Sequence, residues 1–108
     1  MAQTITVQEP LNMVRMATGR YLDTGTVAAY TFTCGFRPRF VQVVNNTSSD
    51  KELWIEGMAA ASAHKQVAAG TSSGITSNGI TVSASGFIFG LDTDLNVTSE
   101  QVSWVALG

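Results

Sequence analysis

The chain has 108 residues, the size of one domain, and its formal net charge of −2 lacks the basic stripe that nucleic-acid binding requires. Only 13% of the residues are charged, where globular domains usually carry about 25%, so the exterior reads as one covered by neighbouring subunits. A single cysteine, Cys34, excludes an internal disulfide, and Met1–Val7 has neither the basic start nor the apolar run of a secretory leader.

Residues 1–16 differ in pattern from the rest of the chain. Thr4-Ile5-Thr6-Val7 alternates as a short strand does, Glu9-Pro10 breaks it, and Leu11, Met13, Val14 and Met16 fit neither the helical nor the strand period. Two readings stand: a first strand of the domain, or an N-terminal arm that docks on another chain. In the second, Ile5, Val7, Leu11, Met13, Val14 and Met16 are the contacts.

Residues 17–108 read as one β domain. Thr26–Thr33 places Ala28, Tyr30 and Phe32 on one face and Thr31 and Thr33 on the other. Gly35–Arg39 is a turn, because Pro38 cannot donate to a ladder. Phe40-Val41-Gln42-Val43-Val44 is nearly all apolar, as a strand covered on both faces would be. A loop of turn formers, Asn45–Asp50, leads to a strand over Lys51–Glu56. Ala59–Ala63 is too short for a helix and reads as an irregular link, and Gly70–Asn78 reads as loop. Asn78-Gly79 carries a hairpin signal ahead of Ile80–Ser83. Gly86–Gly90 is a short aromatic strand, Leu91–Glu100 a polar connection, and Gln101–Leu107 a closing strand with Val102, Trp104 and Ala106 on one face. The uncharged run Gln66–Leu91 is too rich in glycine and hydroxyl side chains for a membrane helix, so a soluble protein made in the cytoplasm is expected. About seven short antiparallel strands with frequent turns predict an all-β fold, a sandwich or closed barrel.

The residues that could carry chemistry do not form a recognisable constellation. His64 and Cys34 stand alone, with no ligand spacing for a metal and no orienting third group for a nucleophile. Asp92-Thr93-Asp94-Leu95-Asn96 begins like a calcium loop, but Val97 and Ser103 stand where glycine and glutamate are needed, which leaves a polar hairpin loop. Glu52 and Glu56, alternating with apolar residues, are expected to face solvent or a subunit contact. Gly70–Gly74 lacks the continuation of a phosphate loop. Asn45, Asn46 and Asn96 head Asn-x-Ser/Thr triplets that mean little without a secretory signal. Arg37 and Arg39 flank Pro38 and are either solvated or charge-assisted contacts to a partner's carboxylates. Trp54 and Trp104 read as core; exposed, they would suit sugar stacking or an interface. No catalytic residue and no cofactor is expected.

Ala17–Tyr21, Gly35–Asn45, Trp54–Met58, Lys65–Thr71, Gly79–Val82, Gly86–Gly90 and Asn96–Ala106 together resemble small tailed-bacteriophage virion proteins over nearly the whole of residues 17–107. The resemblance implies a β-sandwich or jelly-roll-like barrel on the outside of a phage particle. It further implies a capsid decoration, or cement, protein: a homotrimer bridging capsomers of the major capsid protein. A tail-fibre or fibre-tip module that binds host carbohydrate is the alternative. It brings no active-site residues.

Overall fold

A computed structural model describes residues 15–22 and 28–108. The fold is all-β: eight antiparallel strands in a single sheet, in the order β1-β8-β3-β4-β5-β6-β7-β2, curled into a half-barrel. The strands are β1 (Met16–Leu22), β2 (Tyr30–Thr33), β3 (Phe40–Asn45), β4 (Lys51–Ile55), β5 (Ser62–Gln66), β6 (Ser72–Val82), β7 (Gly86–Phe89) and β8 (Gln101–Leu107). Eight strands among the described residues agree with the expectation of about seven, and β1 begins at Met16, across the boundary drawn after that residue. Residues 1–14, with Ile5, Val7, Leu11, Met13 and Val14, lie outside the described residues.

Two-residue alternation, regular in β1 to β4 and interrupted by the bulge in β6, sorts the side chains between the inside and outside of the curl. Inside lie Val41 and Val43 of β3, Trp54 of β4, Ile80 of β6, Phe87 and Phe89 of β7, and Val102 and Ala106 of β8, all buried. Leu95, from the connection between β7 and β8, drops into the same core with no exposure. The curl brings rings from the two edges of the sheet together. Tyr21 of β1 lies 4.8 Å from Tyr30 and 5.8 Å from Phe32 of β2, and Phe32 reaches Trp104 and Phe87 at 5.2 Å each. The tilted and edge-on geometries suit aromatic quadrupoles, and each such pair is worth about 1 kcal/mol beyond area burial. The closing strand β8 is internal, bonded to β1 on one side and β3 on the other.

Two segments depart from the expectations. The stretch around Gly70–Asn78 is mostly strand: β5 and β6 form a hairpin whose turn is closed by Val67 N–H donating to Thr71 O at 3.1 Å and Gly70 N–H to Val67 O at 2.8 Å. Ser72–Gly74 and Thr76–Asn78 are exposed, so no buried face imposes the alternation by which a strand is read. Asn78-Gly79 is not the turn of a hairpin but part of a bulge within β6. Ser62 opposes Ile80 while the adjacent Ala63 opposes Ile75, which leaves residues 76–79 over. Asn78 takes the left-handed conformation (φ 60°). Gly79 then lies so close to β5 that a Cβ would stand 2.5 Å from Ser62 O, a contact only glycine permits.

Asn45, expected in a loop, ends β3 fully buried. Its Nδ2 donates to Leu95 O and Glu100 Oε1, both at 2.9 Å, and its Oδ1 accepts from Thr47 and Ser48 N–H at 2.9 and 3.0 Å. One amide therefore pins the β3–β4 turn to the β7–β8 connection. Asn45→Ala leaves a buried carbonyl and two N–H groups short of partners, and a loss of about 2 kcal/mol is expected in a urea titration.

Candidate functional site

Two features of the half-barrel stand out against ordinary packing: a polar cluster on its inner face and an apolar band on its outer face. Both follow from the phase of β4. In Lys51-Glu52-Leu53-Trp54-Ile55 the indole of Trp54 points inward, 4% exposed, with Nε1–H donating to Ala59 O at 3.1 Å. Alternation then carries Glu52 inward with it and turns Leu53 and Ile55 outward.

Glu52 is 1% exposed, and neither carboxylate oxygen has a hydrogen-bond partner among the described residues. The expectation that it faces solvent or a subunit contact is overturned by its place on the inner face, whereas Glu56, beyond the strand's end, is half exposed as expected. Directly across from Glu52 on β5 is Lys65. Its Nζ lies 3.0 Å from both carboxylate oxygens of Asp92 and 2.5 Å from Asp94 Oδ2. Asp92 is buried, and the 92–96 segment wraps around it. Asp94 N–H donates to Asp92 Oδ1 at 2.9 Å, and Asn96 N–H to Asp92 O at 2.8 Å. Asn96, also buried, donates from Nδ2 to Ala28 O and Gly90 O at 2.8 and 3.0 Å. The polar hairpin loop thus turns Asp92, Leu95 and Asn96 inward while Thr93 and Asp94 stay exposed, and the Lys65 ammonium lies between its two carboxylates. Burial raises Glu52 to about 8, the negative charge of Asp92 adds to the rise, and Lys65 opposes it. Lys65 is lowered by burial but raised more by its bonds to Asp94 and Asp92, so it stays charged.

The outer band is written in the register. Met16 of β1 stands opposite Leu107 of β8, Leu107 opposite Phe40 of β3, and Phe40 opposite Ile55 of β4. These four apolar side chains form one row across four strands. Met16 is 64% exposed and Ile55 50%. The next row runs Thr18, Val105, Gln42, Leu53, His64, and the third Arg20, Ser103, Val44, Lys51, Gln66. A shallow depression lined by Gln42, Val44, Ser103, Trp104 and Val105 lies in the same face. β3 was expected to be covered on both faces; in this chain only Val41, Val43 and Asn45 are fully buried, while Phe40, Gln42 and Val44 are half-buried on the outside.

Of the expected partner contacts, Met16 opens the apolar row and Arg39 borders it. Arg39 Nε is 3.9 Å from Glu56 Oε2, both half exposed, a pair worth at most about 1 kcal/mol. Arg37 is exposed in the β2–β3 turn beside buried Pro38. The structure keeps His64 and Cys34 apart: His64 is exposed on the outer face of β5, and Cys34 follows β2, with β6 and β7 between them in the sheet order. Burial raises the Cys34 thiol, the wrong direction for a nucleophile at neutral pH. Trp104 is half-buried among Phe32 and Phe87, with ring centroids 5.2 and 5.1 Å away. Among the described residues no group of three histidines, cysteines or carboxylates could hold a metal ion. No protein-family model, curated protein or solved structure matches the chain.

Proposed function

We propose that the protein is a structural, non-catalytic component of a tailed-phage virion that decorates the capsid exterior and stabilises it by bridging capsomers, most simply as a homotrimer. The observation that carries the assembly part of this reading is the Met16–Leu107–Phe40–Ile55 row, an apolar band on the outside of a small domain. Contiguous exposed apolar surface rimmed by polar groups marks an interaction site, and the scarcity of charge agrees with an exterior that spends its life covered. The virion as the setting rests on the resemblance of residues 17–107 to phage proteins. A cement protein acts by linkage: whatever binds only the assembled shell stabilises that shell. Residues 1–14, with Ile5, Val7, Leu11, Met13 and Val14 and no basic face, extend the contact as an arm in this reading. Burial of Trp54 removes one of the two rings on which a carbohydrate-binding fibre tip would rely.

The test pairs copy number with surface substitution. Quantified in purified virions, the protein is expected in numbers comparable to the capsomers; a handful of copies, or none, would overturn the decoration role. Met16→Lys combined with Ile55→Lys charges the two most exposed positions of the row without touching the core. Attachment to particles is expected to weaken at least about tenfold, equivalent to about 1.4 kcal/mol, with the melting temperature unchanged. Unaltered attachment would move the contact to another face.

A further inference from the structure

The inner polar cluster has no part in the outer-face reading, and it sets a buried ammonium against both oxygens of a buried carboxylate. Lys65 Nζ stands 3.0 Å from each oxygen of one carboxylate, so it also lies within van der Waals reach of the Asp92 Cγ between them. Lys65 and Asp92 side chains are 13% and 8% exposed. The third member, Glu52, is on the adjacent strand directly opposite Lys65, 1% exposed, with both oxygens unpartnered among the described residues. A buried carboxyl without a hydrogen bond is costly and calls for an explanation. We propose that Lys65 and Asp92 condense into an intramolecular isopeptide bond, with Glu52 as the proton carrier that promotes it.

The step balances without any co-reactant. One ammonium proton of Lys65 passes to Asp92, which leaves a neutral amine and a neutral acid. Rotation about the Asp92 Cβ–Cγ bond turns the face of the carboxyl toward the amine, whose lone pair adds to Cγ. A rotamer change brings Glu52, which bonds to neither group in the resting structure, to the reacting atoms, where it gives its proton to the departing hydroxyl and takes one from the nitrogen. The C–O bond breaks, one water leaves, and a secondary amide joins β5 to the β7–β8 connection; Glu52 ends as it began. Glu52 suits this part because burial keeps it protonated at neutral pH. Proximity supplies the drive: well-oriented intramolecular groups reach effective concentrations of about 10⁵ M or more. Condensation also turns two buried charges into one neutral group, which removes the desolvation penalty that such a pair carries. Asp94 opposes the reaction, since its contact with Nζ favours the unreactive ammonium, and its half-exposed carboxylate is a poorer site for losing water.

The experiment is mass spectrometry of the purified full-length chain. The intact protein is expected one water lighter than its sequence, trypsin is expected to skip Lys65, and chymotryptic cleavage around Phe87, Phe89 and Leu91 should leave a branched peptide joining Lys65 to Asp92. Lys65→Arg should have its full sequence mass. Glu52→Gln, shown to be folded by its circular dichroism, should also keep full mass, while Asp94→Asn should form the link at least as completely as wild type. A wild-type chain at full sequence mass after prolonged incubation overturns the proposal. So does a water loss confined to a linear peptide, which would be a cyclic imide at Asp92. Complete linkage in Glu52→Gln would overturn the role given to Glu52.

Discussion

Raising the pH from about 5 to about 8 is expected to destabilise the folded protein by about 3–5 kcal/mol, and Glu52→Gln is expected to abolish most of that slope. Burial lifts the Glu52 carboxyl from 4.5 to about 8, with the charge of Asp92 reinforcing the rise and Lys65 restraining it. Between those two values the unfolded chain has released the proton and the folded chain still holds it. Unfolding therefore releases a proton, and stability falls as pH rises through this window. Below about 4.5 both states are protonated, and above about 8 both are ionised, so at either end this group adds no slope. For a domain of this size the melting temperature should drop by roughly 15 °C or more across the window. The readout is the slope within each protein, measured by thermal melts in matched buffers, and not the level of one protein against the other. A link between Lys65 and Asp92 would remove the two neighbouring charges, whose effects on Glu52 oppose each other, and leave burial, the largest cause, so the direction of the slope is the same in either state. Equal slopes in wild type and Glu52→Gln would show that the carboxyl is hydrated in solution.

The buried carboxyl and the exposed apolar row have one cause. In Glu52-Leu53-Trp54-Ile55 three consecutive apolar residues leave the phase of the strand undecided, and the expectations of Trp54 in the core and Glu52 in water cannot both hold, because positions 52 and 54 share a face. In the structure Trp54 lies inside and Leu53 and Ile55 outside, and Glu52, two positions from Trp54, is carried in with it. That choice costs a desolvated carboxyl and an uncovered Ile55. Strands with an unambiguous phase were legible from the sequence. In β8, Val102, Trp104 and Ala106 alternate with Gln101, Ser103 and Val105, and the inner face is as the alternation predicts. In β2, Tyr30 and Phe32 face inward for the same reason.

What stayed hidden was whatever depended on partners distant in sequence. Asp92 and Asn96 belong to a segment of turn-forming residues, and nothing local tells that Lys65, 27 positions earlier, will neutralise Asp92 inside the sheet. Asn45 was hidden likewise, since its partners Leu95 and Glu100 are 50 and 55 positions away. The exposed hairpin of β5 and β6 failed for the opposite reason: it has too little buried face to leave a pattern. Only the register could assemble the outer row, because Met16, Phe40, Ile55 and Leu107 come from four separate strands.

Gly86→Ala is expected to destabilise the protein by about 3 kcal/mol, although it adds one methyl group to a strand. Gly86 pairs with Thr33 where β7 meets β2, the edge strand. A Cβ at Gly86 would stand 1.9 Å from the carbonyl oxygen of Phe32 and 3.0 Å from Thr33 Cα. Both obstacles are backbone, so no side-chain rotation relieves the overlap, and β2 has to lift away from β7. That movement takes Phe32 from its contacts with Phe87, Trp104 and Tyr21, and strains the bonds from Cys34 and Gly35 N–H to Ser85 O. Gly74→Ala is the internal control. It lies in the exposed part of β6 with nothing within 4 Å of a Cβ, and there the lower entropy of the unfolded chain should leave stability unchanged or raised by up to about 1 kcal/mol. Urea titrations of the two variants separate close approach from any general effect of alanine. Comparable midpoints would mean that β2 is not seated against β7 in solution, and that the half-barrel is open on that side.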